Sequence, residues 1–233
     1  MNSPHDPQFD RYAVSYHDLH KVSVRASGEE PEYFAAYKIA YMAAALGAEF
    51  TAGRVEILDF GCGVGGSIPH LREHFPKANL FGADVSGESL ELARQAHPDV
   101  TYSQITTDRI NLPDACVDVA MAACVYHHIP PAERARWTAE LRRVLRPGGC
   151  LFLFEHNPLN PLTQKVVRDC PFDDDAILLP SGESLRLIRG AGFHDVDVAY
   201  IVFFPRQLAR LRPLEKVLGW LPLGAQYVVQ GRK

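Results

Sequence analysis

The chain has 233 residues, 47% of them hydrophobic and 22% charged, and its 24 Lys and Arg against 28 Asp and Glu leave a formal net charge of -4. That is the composition of an ordinary soluble globular protein, long enough to bury one α/β core. The mildly acidic balance supplies no basic footprint for nucleic acid or an anionic membrane, so a small-molecule or peptide-like partner is expected instead.

Residues 1 to about 8 are polar and Pro-containing and predict an irregular start. The following stretch carries Tyr12, Tyr16, His17 and His20 over one or two helical turns, and these side chains are candidates to line a lid or to pack an N-terminal helix. His17 and His20 at i, i+3 would make half a metal site, but no carboxylate-rich partner stands near them in the sequence, and no metal is expected. The spacing of Tyr33, Phe34, Tyr37, Ile39, Ala40, Tyr41, Ala44 and Leu46 predicts an amphipathic helix over 32–50, ended by Gly53. Tyr33 and Tyr37 are candidates to reach a ligand or to pack in the core.

The stretch 55–66, Val-Glu-Ile-Leu-Asp-Phe-Gly-Cys-Gly-Val-Gly-Gly, is an apolar strand that ends on Asp59 and breaks into glycines; helical spacing resumes over 67–75. Glycines permit positive φ and close approach of a ligand, and the helix that follows offers free N–H groups, so this strand-turn-helix reads as a cofactor cradle. Gly61, Gly63 and Gly66 fit G-x-G-x-x-G, which leaves a dinucleotide open. Asp59 would repel a pyrophosphate and attract a cation. Asp84, ending a second strand, has the spacing of an acid that accepts hydrogen bonds from both ribose hydroxyls, which either kind of cofactor would use. A helix over 87–96 and a third strand over 100–105 follow, so strand and helix alternate. That alternation predicts a parallel sheet with its ligand at the carboxyl ends of the strands.

A fourth strand ends in Ala122-Ala123-Cys124-Val125-Tyr126-His127-His128 and places two histidines at the mouth of the crevice. An imidazole with a pKa near ~6.5 suits a general base, so His127 and His128 are candidates, each with a structural role as its alternative. Pro130 opens a helix to Arg146, and a fifth strand over 150–155 runs into Glu155-His156-Asn157-Pro158, which presents His156 and Asn157 to the crevice. The segment 156–180 contains Cys170 and the run Asp173-Asp174-Asp175, read as meeting a cationic substrate or Arg189, or as capping a helix near Ala176. A helix over 181–188, stopped by Gly190 and Gly192, a long strand over 193–204, a helical stretch over 205–219 and a short strand over 226–230 complete the chain.

The motifs in this order resemble those of the class I S-adenosylmethionine-dependent methyltransferases. Ile57-Leu58-Asp59-Phe60-Gly61-Cys62-Gly63-Val64-Gly65 looks like the family's first motif, and Asp84 like its ribose-binding acid. Asp108-Arg109-Ile110-Asn111-Leu112-Pro113 is similar to the segment whose acid and next backbone amide hold the adenine. Val117-Asp118, where the family usually has Phe-Asp, is similar to its fourth strand, and 141–149 to the helix and Leu-x-Pro-Gly-Gly turn before its fifth. The resemblance implies one domain over 1–233 with a Rossmann-like, doubly wound α/β sheet of order 3-2-1-4-5-7-6, strand 7 antiparallel. Within it, 1–50 would form the lid, 54–155 the cofactor core, 156–180 a substrate insertion and 181–233 the C-terminal helix and strands. It implies S-adenosylmethionine as cofactor, held by Asp59, Gly61, Cys62, Gly63, Gly65, Asp84, Val85, Asp108, Arg109 and Ala123.

Candidate catalytic residues are then His127, His128 and His156, and candidate substrate contacts Tyr16, His17, Tyr33, His156, Asn157 and Cys170. A small metabolite methylated on oxygen is expected, because histidines at the mouth offer a base; nitrogen or an ionised phenol would need only positioning. The rival readings are a nicotinamide oxidoreductase, which lacks a suitably placed Tyr-x-x-x-Lys pair here, and a nucleoside-binding regulator without catalysis. The five cysteines are odd in number, without a C-x-x-C pair, and read as buried reduced thiols. No apolar run reaches about 18 residues, and the start lacks the pattern of a signal peptide, so a cytoplasmic monomer or homodimer away from membranes is expected.

Overall fold

The computed structural model describes residues 10, 13, 16–106 and 108–233. Seven strands form one sheet of order β3-β2-β1-β4-β5-β7-β6: β1 Glu56–Phe60, β2 Asn79–Asp84, β3 Thr101–Gln104, β4 Val117–Ala123, β5 Leu145–His156, β6 His194–Ile201 and β7 Gln226–Arg232. β1 to β5 pair parallel, and β7 runs antiparallel to both β5 and β6.

The central strands are apolar at nearly every position because both faces of a parallel sheet are covered. Side chains alternate across a strand, and the two cores follow that alternation. Ile57, Val119, Met121, Phe152, Phe154 and Val228 pack on one face with helices α2 (Pro31–Leu46) and α4 (Ile68–His74). Leu58, Ala120, Ala122, Leu151, Leu153 and Val229 pack on the other with α6 (Pro131–Val144) and α8 (Ser181–Gly190). The remaining helices are α1 Tyr16–Val24, α3 Ala48–Ala52, α5 Gly87–Ala96, α7 Pro161–Arg168 and α9 Glu215–Leu218. No described helix is long and apolar enough to cross a membrane.

Three expected elements come out differently. The helix expected over 32–50 starts at Pro31 and stops at Gly47, whose φ of 77° leaves the helical region, so α3 is a separate short piece. The stretch 205–219 is mostly 3-10 helix, Arg206–Leu214, because Pro213 removes an amide donor and Leu208 departs from helical geometry. No helix begins near Ala176; the apolar and polar residues of the insertion instead build α7, capped by the Asn160 side chain on the amides of Leu162 and Thr163, and a 3-10 turn at Pro171–Asp173. The aspartate run therefore caps no helix.

The carboxyl ends of β1, β2 and β4 meet at one edge: Asp59 lies opposite Gly82, and Phe60 opposite Ala83 and Ala122. The crevice that opens there continues into a cavity of about 1100 Å³ running under α1, α2 and α7.

Candidate active site

The glycine loop is built for close approach. Gly61 has φ 77°, and a Cβ on it would stand 2.3 Å from Val125 Cγ2, so no other residue fits without moving the turn after β4. The amides of Gly61 and Cys62 donate to Ala83 O at 2.7 and 3.2 Å and tie the loop to β2. Gly63, at φ 51°, donates its amide to Asp84 Oδ2 at 2.8 Å, and a Cβ there would meet nothing within 4 Å. The other oxygen of Asp84 accepts the Ser86 amide at 2.9 Å. Behind the loop Asp59 is buried, and its Oδ2 has no hydrogen-bond partner. Burial pushes its carboxyl up to about 7, and the charge of Asp84 pushes the same way. An orphaned carboxylate oxygen, an acid at the ribose position and a glycine with open space in front of it fit the cationic nucleoside expected from the motifs.

Of the other expected cofactor contacts, Val85, Asp108 and Ala123 line the crevice along with Gly61, Gly63 and Asp84. Cys62 does not: its sulfur turns inward, 2.8 Å from where a Cβ on Gly82 would lie. Gly65 serves packing, since a Cβ there would stand 2.9 Å from His97 Cδ2. Arg109 does not line the crevice; its side chain pairs with Asp114.

The cavity's far end is polar. His127 and His128 follow β4 on a 3-10 turn, Tyr126–His128, and the rings lie 4.1 Å apart. Glu155, wholly buried at the end of β5, accepts the amides of Val125 and Tyr126 at 3.0 and 2.7 Å and meets His127 Nδ1 at 2.6 Å. Burial opposes charge on His127, but Glu155 and Asp173 outweigh it and raise the imidazole to about 10. His156, 5.1 Å from the His127 ring, goes the other way: burial and the His127 charge bring it down to about 4. His20 is likewise lowered to about 4 by burial and Lys38. Of the three candidate bases, His127 is thus pushed toward its charged form and His156 toward its neutral one. Cys124 and Val202, both lining this chamber, hold φ of 60° and 59°, a left-handed conformation costly for a side chain with a Cβ.

Cys170 is buried and lines the chamber, but two expected contacts do not. Asn157 turns away: its Nδ2 donates to Pro222 O and Gly224 O, and its Oδ1 accepts the Leu159 amide, so it braces the loop before β7. Tyr33 packs on the far side of α2 under the Arg212 guanidinium, and Tyr37 donates to Glu215 at 2.5 Å. The aspartate run faces histidines and not Arg189, which donates to Val196 O. Tyr12 lies outside the described residues, as do the side chains of Tyr16 and His17. Lys38 and Gln226, which also line the chamber, went unnoticed in the sequence. Lys38 had a signal: it falls between Phe34 and Met42 on the buried stripe of α2, where a charge has no packing reason to be.

A model of a methyltransferase domain matches residues 57–149. The chain is 36% identical over 140 residues to a trans-aconitate 2-methyltransferase of Azoarcus sp. (strain BH72), a match that spans 60% of this chain and 54% of that one. It is 31% identical over 182 residues to a malonyl-[acyl-carrier protein] O-methyltransferase of Pectobacterium atrosepticum, spanning 76% of this chain and 67% of that one. Among solved structures, a methyltransferase of Thermotoga maritima described as a possible histamine N-methyltransferase shares the fold, with a TM-score of 0.67, 20% identity and coverage of 97% and 98% of the two chains.

Proposed function

The chain belongs to the S-adenosylmethionine-dependent methyltransferases, and from that premise we propose that it methylates a carboxylate oxygen of a small organic acid. The observation that carries the acceptor class is Lys38, a buried cation that α2 delivers into the polar end of the cavity. A buried charge is costly unless it meets a counter-charge, and an anionic acceptor supplies one. His20 and His156, neutral at physiological pH, hydrogen-bond such an anion without protonating it. The two relatives named for acids, trans-aconitate and the malonyl group, support the same class.

The bound cofactor supplies a methyl on a sulfonium, open to in-line displacement. Asp84 would accept from the ribose, Asp108 would mark the adenine side, and the Asp59 carboxylate behind the glycine loop would lie at the amino-acid end. His127, already protonated, takes no proton from the acceptor. A carboxylate arrives ionised, so the residues of the chamber need only hold its oxygen in line. The test is transfer of labelled methyl from S-adenosylmethionine to a panel of organic acids, phenols and amines. Label is expected in an ester that mild alkali cleaves to methanol, and Lys38→Met is expected to raise KM for that acid by at least about tenfold. Label confined to alkali-stable amines or ethers overturns the carboxylate assignment.

Asp59 makes cofactor binding depend on pH. Its folded-state pKa of about 7 lies above the ordinary value near ~4, so the ligand-free fold loses stability as pH rises between these two values. A cation beside the carboxylate reverses this, since it favours the ionised form. Affinity for S-adenosylmethionine is expected to fall several-fold from about pH 8 to about pH 6, since a proton must be expelled below the folded-state pKa. Calorimetry on Asp59→Asn should show that dependence flattened; an equal slope in both proteins removes Asp59 as its source.

A further inference from the structure

We propose that His127, His128 and Asp173 form a binding site for one divalent transition-metal ion of the zinc class, opening on the polar end of the cavity. The geometry has two parts. Each histidine has a carboxylate at Nδ1: Glu155 Oε2 stands 2.6 Å from that of His127, and Asp175 Oδ1 3.4 Å from that of His128. Each turns the opposite nitrogen, Nε2, toward one and the same atom, Asp173 Oδ1, at 3.5 Å for His127 and 3.3 Å for His128. This is the pattern of metal-bound imidazoles, in which a carboxylate on one ring nitrogen fixes the tautomer and aims the other at the ion.

The distances separate the two kinds of contact. A charge-assisted hydrogen bond runs to about 2.7–2.9 Å; the His127 contact to Glu155 is at least that short, whereas the two contacts to Asp173, and that of His128 to Asp175, are longer. Ligand atoms bound tetrahedrally at about 2.0–2.1 Å are separated by about 3.3 Å, the edge of that tetrahedron, and the contacts to Asp173 are of that length. One ligand atom from each of the three residues lies within 4.8 Å of the others, so a small ring rotation completes the triangle. His127 and Asp173 are buried and Glu155 is wholly so, and an ion bound here would displace the proton from the His127 Nε2. Two imidazoles and one carboxylate suit zinc, cobalt(II) or iron(II) better than the oxygen-seeking magnesium or calcium. Three protein ligands leave a position open, and all three residues line the cavity, so that position faces the chamber.

The test is titration of the chelator-treated protein with Co2+, followed by its visible ligand-field spectrum and then by displacement with Zn2+. One equivalent is expected to bind with an intense tetrahedral band, and Asp173→Asn and His128→Asn are each expected to weaken binding at least about tenfold. Near-ultraviolet circular dichroism identifies variants that keep the native fold. Failure of the wild-type protein to bind Co2+, or unchanged binding in natively folded variants, overturns the site. Neither readout involves methyl transfer, so the result is independent of the acceptor assignment.

Discussion

Asp84→Ala is expected to abolish measurable binding of S-adenosylmethionine and of its demethylated product, a loss of at least about a hundredfold, or about 3 kcal/mol. Asp84 joins two jobs. Its oxygens accept the amides of Gly63 and Ser86 at 2.8 and 2.9 Å, which fixes the loop against the start of α5. The carboxylate has about four acceptor sites, and its backbone donors do not fill them all, which leaves room for a ribose hydroxyl. Burial raises its pKa while the three backbone amides of Ser86, Gly63 and Val85 hold it down, so the charge is kept in place by donors that do not move. Removing the carboxylate takes away both the ligand's acceptor and the loop's anchor. Calorimetric titration against S-adenosylmethionine, its product and NAD reads the outcome. Affinity within about threefold of the parent would sink the ribose assignment, and NAD binding that vanishes in the same variant would point to a nicotinamide nucleotide.

Why Asp84 was readable in the sequence and Lys38 was not comes down to the range of the contacts. Asp59 and Asp84 end adjacent strands and Gly61 and Gly63 lie in the loop between them, all within 26 positions, and their placement follows from strand alternation, positive φ and charge, all local properties. The same locality made the parallel sheet with its covered faces legible, since apolar runs flanked by helical spacing admit few arrangements, while the strand order followed from the resemblance of the motifs. The polar chamber is different. It gathers His20 and Lys38 from the amino-terminal helices, His127 and His128 after β4, His156 at the end of β5 and Asp173 from the insertion, and nothing local says which of these meet. Asn157 fails for the same reason: its amide had equal promise as a ligand contact, but the loop at 222–224, distant in sequence, takes its donors for the carbonyls of Pro222 and Gly224. Even the His127 pKa, ordinary by expectation, is raised against its burial by Glu155 and Asp173, 28 and 46 positions away.

Glu155→Ala is expected to be the most destabilising single change in the chamber, lowering stability by about 3–5 kcal/mol and Tm by about 6–20 °C. The carboxylate is wholly buried and holds three donors at once, the amides of Val125 and Tyr126 and the His127 ring. Alanine leaves two buried amides without an acceptor and an imidazolium without its nearest counter-charge, and each of these losses is costly in a water-poor interior. The turn has a second brace: Arg134 donates to Tyr126 O and Ile129 O, and the Ile177 amide donates to His127 O at 2.8 Å. That brace keeps the backbone near its place, so the cost appears as unmet polar groups more than as a collapsed turn. Glu155→Gln separates the two contributions. Its carbonyl still accepts the amides but brings no charge to His127, so roughly half the loss is expected. Thermal and urea unfolding measure both variants. A Tm within about 3 °C of the parent for Glu155→Ala would mean that the His127 charge is held by Asp173 alone, and that Glu155 orients the ring without stabilising the fold.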